Sequence, residues 1–163
     1  MPGLLSWSIN TEPFLARIKL LHREANKTAF PLAVYRTAQH AIRGFIAKTP
    51  QPPTPPGQKY QRTGRLVSGW GPAAKQLGAG APGPATGEGR FVSTNTNDVI
   101  SILMANDVPY AGFVEILGPA ARFGPGIKPI FKGGVRMVGR TFDEMRASRV
   151  FEGFLAQQWA FLL

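Results

Sequence analysis

The stretch RFVSTNTNDVISILMA, residues 90–105, decides the fold. Val99, Ser101 and Leu103 alternate with Ile100, Ile102 and Met104 in a nearly continuous apolar run. β-Branched residues in such a run favour a well-buried strand. Ahead of it, Asn95, Thr96, Asn97 and Asp98 form a turn, because short Asx side chains bond their own backbone. Arg90–Thr94 and Val99–Ala105 therefore read as a β-hairpin.

Upstream the pattern changes period. Phe14, Ile18, Leu21 and Ala25 make one helical stripe, with Arg17, Lys19, Arg23 and Lys27 largely off it. Thr11, Glu12 and Pro13 supply a helix start. Pro31 interrupts the run, and a second stripe of Val34, Ala38, Ala41, Ile42 and Phe45 continues to Lys48. Residues 11–48 are thus two helices or one kinked helix. Residues 49–57 hold five prolines in nine positions and read as an extended connector, which we place at 49–62.

The segment 63–117 is expected to hold the sheet. Arg65–Trp70 reads as a further strand, followed by a Gly/Ala/Pro loop at 71–89 too poor in apolar anchors to order itself. Tyr110–Leu117 is a short apolar segment and 118–129 another Gly/Pro loop. In 118–163, Val135, Val138, Phe142 and Met145 form a third helical stripe. The apolar end Phe151–Leu163 needs a partner surface on its own domain or another subunit. The expectation is one α+β domain over 1–163, with N-terminal helices on a small antiparallel sheet, C-terminal helices and long Gly/Pro-rich loops.

Composition narrows the chemistry. Nineteen Gly and 15 Pro are about a fifth of the 163 residues, against roughly 12% in an average chain. Nineteen Lys+Arg against nine Asp+Glu give a net charge of +10, which suits an anionic neighbour. With no cysteine there is no disulfide, thiolate metal site or cysteine nucleophile. The first residues resemble no secretory signal, and no run reaches the roughly 18 apolar residues of a membrane span. A soluble protein made in the cytoplasm is expected.

Catalytic patterns fail one by one. His22 and His40 lie 18 residues apart, about 27 Å along a straight helix, and cannot share a metal there. Gly87 is followed by Glu88 rather than Lys-Ser/Thr, so the Gly-rich segment reads as a loop tip and not a phosphate loop. Asp143 and Glu144 diverge by about 100° on a helix. Glu115, the lone acid of an apolar segment, reads as a structural carboxylate satisfied by an Arg or by backbone donors. No cofactor, metal or enzyme activity is expected.

Two patches carry a resemblance. Thr63, Gly64, Arg65 and Leu66 follow a basic helix and a Pro-rich connector, and Pro109, Tyr110, Ala111, Phe113 and Glu115 follow a strand about 45 residues later. This order resembles the neck or tail-completion (head–tail joining, minor tail component) family of tailed bacteriophages. The chain departs from that pattern in carrying Arg62 where the family has an acid, and Gly118 later than the usual Gly. The resemblance implies a virion structural protein: a homo-oligomeric ring, six-fold rather than twelve-fold, at the junction between head and tail. Its implied partners are the neighbouring head-closure or adaptor and tail proteins, with non-specific contact to double-stranded DNA in the channel and no membrane. A tail terminator of the same junction, or a free DNA-binding accessory protein, are the alternatives.

In that frame Gly64 gives a turn, Arg65 is a candidate partner for Glu115, and Tyr110 and Phe113 are expected to bury their rings. A duplex carries one charge per roughly 1.7 Å, so a channel wall must be basic or neutral. Lys59, Arg62, Lys75 and Arg90, which bracket the two loops, are the expected channel or inter-ring contacts.

Overall fold

The computed structural model describes residues 12–54, 56, 62–80, 82, 88–96, 99–116 and 136–160. The fold is α+β, with helices before and after one two-stranded antiparallel sheet. Helix α1 (Glu12–Glu24), a π turn (Ala25–Ala29) and α2 (Phe30–Lys48) follow one another without a break. Pro31 explains the join. A regular helix needs its missing N–H and would press its ring on the carbonyl four residues back. A π turn, bonded i to i+5, absorbs the mismatch just before it, and the Phe30 N–H donates to the Ala25 carbonyl.

The expected second stripe is the centre of the molecule. Ala38, Ala41, Ile42 and Phe45 of α2 are buried with Trp70, Ala73, Ala74, Leu77 and Met145, while Val34 is half-buried. The first stripe fares differently: Ala25 is buried and Leu21 half-buried, but Ile18 is 44% exposed, and the Phe14 side chain lies outside the described residues.

Strands β1 (Gly89–Asn95) and β2 (Ile100–Asn106) pair from Gly89 opposite Asn106 to Asn95 opposite Ile100. Across the turn, the Thr96 N–H donates to the Val99 carbonyl at 2.9 Å; Asn97 and Asp98 lie outside the described residues. Phe91, Ile102 and Met104 pack on the core, whereas Val92 and Leu103 face outward. The expected well-buried strand is therefore half-buried, because alternate side chains take opposite faces and the chain covers only one.

The expected strand Arg65–Trp70 is helical instead. Helix α3 (Arg65–Ser68) leads through a turn into α4 (Gly71–Gln76), so the first part of the expected loop 71–89 is ordered as well. The reason is a helical spacing: Leu66, Trp70, Ala73, Ala74 and Leu77 are all buried, and Pro72 presets the first turn of α4. Tyr110 is followed by a third short helix, α5 (Ala111–Ile116), rather than more sheet.

Helix α6 (Met137–Ala147) buries Thr141 and Met145 against α2, while Met137 is buried with Leu66, Val108 and Ala111. The expected stripe is rotated: Phe142 is exposed, though its ring meets Phe45 edge-on at 5.6 Å, and Val135 lies outside the described residues. At Gly44 the two helices touch so closely that a Cβ would lie 2.5 Å from Thr141 Cγ2. Helix α7 (Val150–Ala160) runs along α2 and the π turn, with Phe154 edge-on to His40 at 6.4 Å. The described part of the expected apolar end, Phe151–Ala160, thus finds a partner surface within its own chain, and residues 161–163 lie outside the described residues.

Candidate functional site

The two sequence patches meet. Gly64 takes a left-handed conformation, φ 81°, which turns the chain into α3 and sends Leu66 inward. Leu66 is buried with Val108, Ala111 and Met137, and Val114 packs on the same cluster. Polar bonds lock the meeting point. The Asn106 amide donates to the Leu66 carbonyl at 2.8 Å, while its oxygen accepts from the Val108 N–H at 3.3 Å. The Asp107 N–H donates to the Glu88 carbonyl at 3.0 Å.

Two Arg–carboxylate forks flank the base of the hairpin. Arg65 grips both carboxylate oxygens of Glu88, with Nε at 2.7 Å from one of them. Arg90 binds Asp107 at 2.7 and 2.9 Å. Hydrogen bonding from Arg65 holds the Glu88 carboxyl below its usual range, and each carboxylate in turn holds its arginine in the charged form. The expected Arg65–Glu115 pair is therefore not formed. Arg65 is taken by Glu88, so the reading of Glu88 as part of a loop tip also gives way.

Glu115 is satisfied by backbone donors. Its two oxygens accept from the Val138 N–H at 3.1 Å and the Gly139 N–H at 2.9 Å, in the first turn of α6. A carboxylate there meets unpaired amides and the positive end of the helix dipole. The cap ties the second patch to α6 and to Met137, whose sulfur lies 3.1 Å from the Thr49 hydroxyl. That hydroxyl donates to the Phe45 carbonyl at 2.6 Å and accepts from the Trp70 indole N–H at 3.0 Å. One contact chain thus runs from the hairpin base through α5 and α6 to the end of α2.

Thr63 is exposed, and its hydroxyl lies 3.4 Å from the Arg65 N–H. Tyr110 is 38% exposed, so its ring is not buried as expected; the Phe113 side chain and Lys59 lie outside the described residues. Arg62 is half-buried, its guanidinium bonded to the Gln51 carbonyl at 3.3 Å. Lys75 is exposed on α4 and has no ion pair among the described residues. Two of the four expected channel cations are thus engaged within the chain: Arg62 supports the connector and Arg90 is neutralised in place.

Sequence reading missed Asn106, Asp107 and Glu88 as bonding partners. Asx residues directly after a strand were the available signal, since they satisfy chain ends there. Among the described residues no three His, Asp or Glu side chains converge as metal ligands, and no helix is long and apolar enough to cross a membrane. Compared with models of protein families, with curated proteins and with solved structures, the chain matches none.

Proposed function

We propose that this chain is a virion structural protein of a tailed bacteriophage, a neck or tail-completion subunit that forms a ring at the head–tail junction. The observation that carries the reading is the convergence of its two motif patches. Leu66 of the first and Ala111 of the second share one small core with Val108 and Met137, and Glu115 fastens the second patch to α6. Two distant patches that resemble one family's motifs thereby serve one structural purpose, the joining of sheet and helices. They act as fold residues, without catalytic work.

The test has two arms. Native mass spectrometry of the purified protein should give a closed ring, six copies by the family resemblance, and mass spectrometry of virions should find the chain in the particle. A protein that stays monomeric at high concentration and is absent from virions overturns the proposal.

A second reading, a non-specific DNA-binding accessory protein, is favoured by the +10 charge. Most acids are already engaged by Arg23, Lys48, Arg65, Arg90 and Arg136, leaving cations such as Arg17, Lys19, Arg36 and Arg43 outside those pairs. Its affinity for duplex DNA would fall steeply with log[salt]. No measurable binding at low salt removes it.

A further inference from the structure

We propose that the open face of α2 is a docking strip for the phosphate backbone of a nucleic-acid duplex, gripped without regard to sequence. The inference rests on the second reading above, names the surface through which such binding runs, and needs no ring. Leu32, Arg36, His40, Arg43 and Ala47 recur every three or four residues, so they share one face of the helix. Arg36 is half-buried and the other four are exposed. Neither Arg36 nor Arg43 has an ion pair or hydrogen bond among the described residues. Contacts fix the two banks of the strip. On one, the Gln39 amide donates to the Leu77 carbonyl at 2.9 Å, and on the other His40 meets Phe154 of α7.

The described acids lie off this strip. Helix α4 and both strands contain none. On α7, Glu152 is two residues before Phe154 and therefore turned about 200° away from it. Gln157, one turn after Phe154, is exposed and uncharged, and beside Gly153 the surface is open. Glu144 is taken by Lys48, which lies on the α6 side of α2 with Gly44, and Asp143 by Arg136. Glu24, paired with Arg23, is twelve residues before Arg36, about 18 Å along the rod, and Glu12 is at the far end of α1.

The chemistry of the strip selects the partner. A helix face is convex and encloses no small anion, whereas a polyanion can touch both guanidiniums at once and release counterions at each. Leu32, at one end, is the one large apolar side chain in the row, so the strip lacks the apolar centre that anchors a protein partner. It also presents no exposed aromatic ring on which the bases of a single strand would stack. A duplex backbone needs neither, because arginine holds its phosphates by charge-assisted hydrogen bonds.

A salt titration with a matched control decides the matter. Fluorescence anisotropy of a labelled DNA duplex of random sequence, over about 50–200 mM salt, gives the slope of log affinity against log[salt]. Arg36→Gln combined with Arg43→Gln should flatten that slope by about 1.8, since each phosphate contact supplies about 0.9. Arg140→Gln combined with Arg146→Gln makes the same change in net charge on α6, where both side chains are exposed and without an ion pair. It should flatten the slope by less than half as much. Thermal unfolding near the parent's temperature qualifies each variant. Arg43→Gln alone, at an exposed position, replaces the strip pair if that pair fails, with about 0.9 expected. If the strip and α6 variants flatten the slope equally, net charge alone matters and the strip is overturned while DNA binding stands. A parent with no measurable binding at low salt overturns the strip and the second reading together. Single strands bound more tightly than the duplex, or polyglutamate that displaces the duplex at equal charge, overturn the choice of partner.

Discussion

Helices α1 and α2 are two lengths of one rod with the same apolar spacing and opposite surroundings. In α2, Ala38, Ala41, Ile42 and Phe45 are covered by α4, α6, α7 and the hairpin. In α1, Ile18 sits at an equivalent place in the pattern and is open to solvent. Periodicity reports that a helix has an apolar stripe, and it does not report whether the covering surface belongs to the same chain. The difference lies in the segments that return to each length. Residues 65–77 and 137–160 come back to α2, and no described element packs substantially on α1 beyond the π turn.

The largest expected effect tests that contrast directly. Ile42 is fully buried, so Ile42→Ala should cost about 2–5 kcal/mol through lost burial and the cavity left behind. Ile18→Ala should change the unfolding free energy of the isolated subunit by no more than about 0.5 kcal/mol. Urea unfolding at concentrations below assembly measures both. Equal losses would mean that α1 is covered by its own chain, and the contrast would break.

The next effect probes how tightly α2 is covered. A Cβ at Gly44 would lie 2.5 Å from Thr141 Cγ2. Gly44→Ala gains about 1 kcal/mol of helix propensity, yet overpacking of this kind costs about 1–3 kcal/mol. A net loss is expected. Thr141→Ala removes the obstructing methyl, so the double variant should be more stable than the sum of the singles implies. Additive behaviour would show that α6 can shift away from α2.

A smaller effect concerns how α6 is held in place over α2. Glu115→Ala strips the carboxylate from two backbone donors and should cost about 1–2 kcal/mol. Glu115→Gln keeps an acceptor and should recover part of it. A loss from Glu115→Ala no greater than that at an exposed site would mean that the cap does not anchor α6.

Legibility in the sequence depends on which interactions are local. The hairpin was legible because alternation and an Asx turn are short-range signals, and the α2 stripe because five apolar residues repeat on one face. The stretch 65–77 was misread because Leu66, Val67 and Ser68 mimic alternation over so few residues. Its helical spacing emerges only when Trp70, Ala73, Ala74 and Leu77 are counted across two glycines, Gly69 and Gly71. Glu115 was legible as a structural acid, but its partner was not. A carboxylate is satisfied equally well by an arginine or by helix amides, and distance in the fold, which no spacing encodes, selects between them. The same holds for Arg65, whose partner Glu88 lies 23 residues away.

The smallest expected effect lies at the hairpin base, and its sign is fixed by the Arg65–Glu88 fork. Hydrogen bonding to Arg65 lowers the Glu88 carboxyl below its unfolded value. The folded state therefore releases the Glu88 proton more readily, and the contribution is fully present above the ordinary glutamate range. It is lost as pH falls through the depressed folded value. Comparing the parent with Glu88→Gln isolates this group, because every other carboxylate titrates in both proteins. The stability curves should differ at neutral pH, draw together as the pH falls from the ordinary glutamate range through the depressed folded value, and lie closer at high salt, since the fork is at the surface. The difference should be unchanged in an Ile18→Ala background, as distant sites add independently. Curves that stay parallel from neutral to strongly acid pH would show that the fork does not pin the hairpin. A difference that vanished with Ile18→Ala would show that α1 is not the detached arm that its exposure makes it.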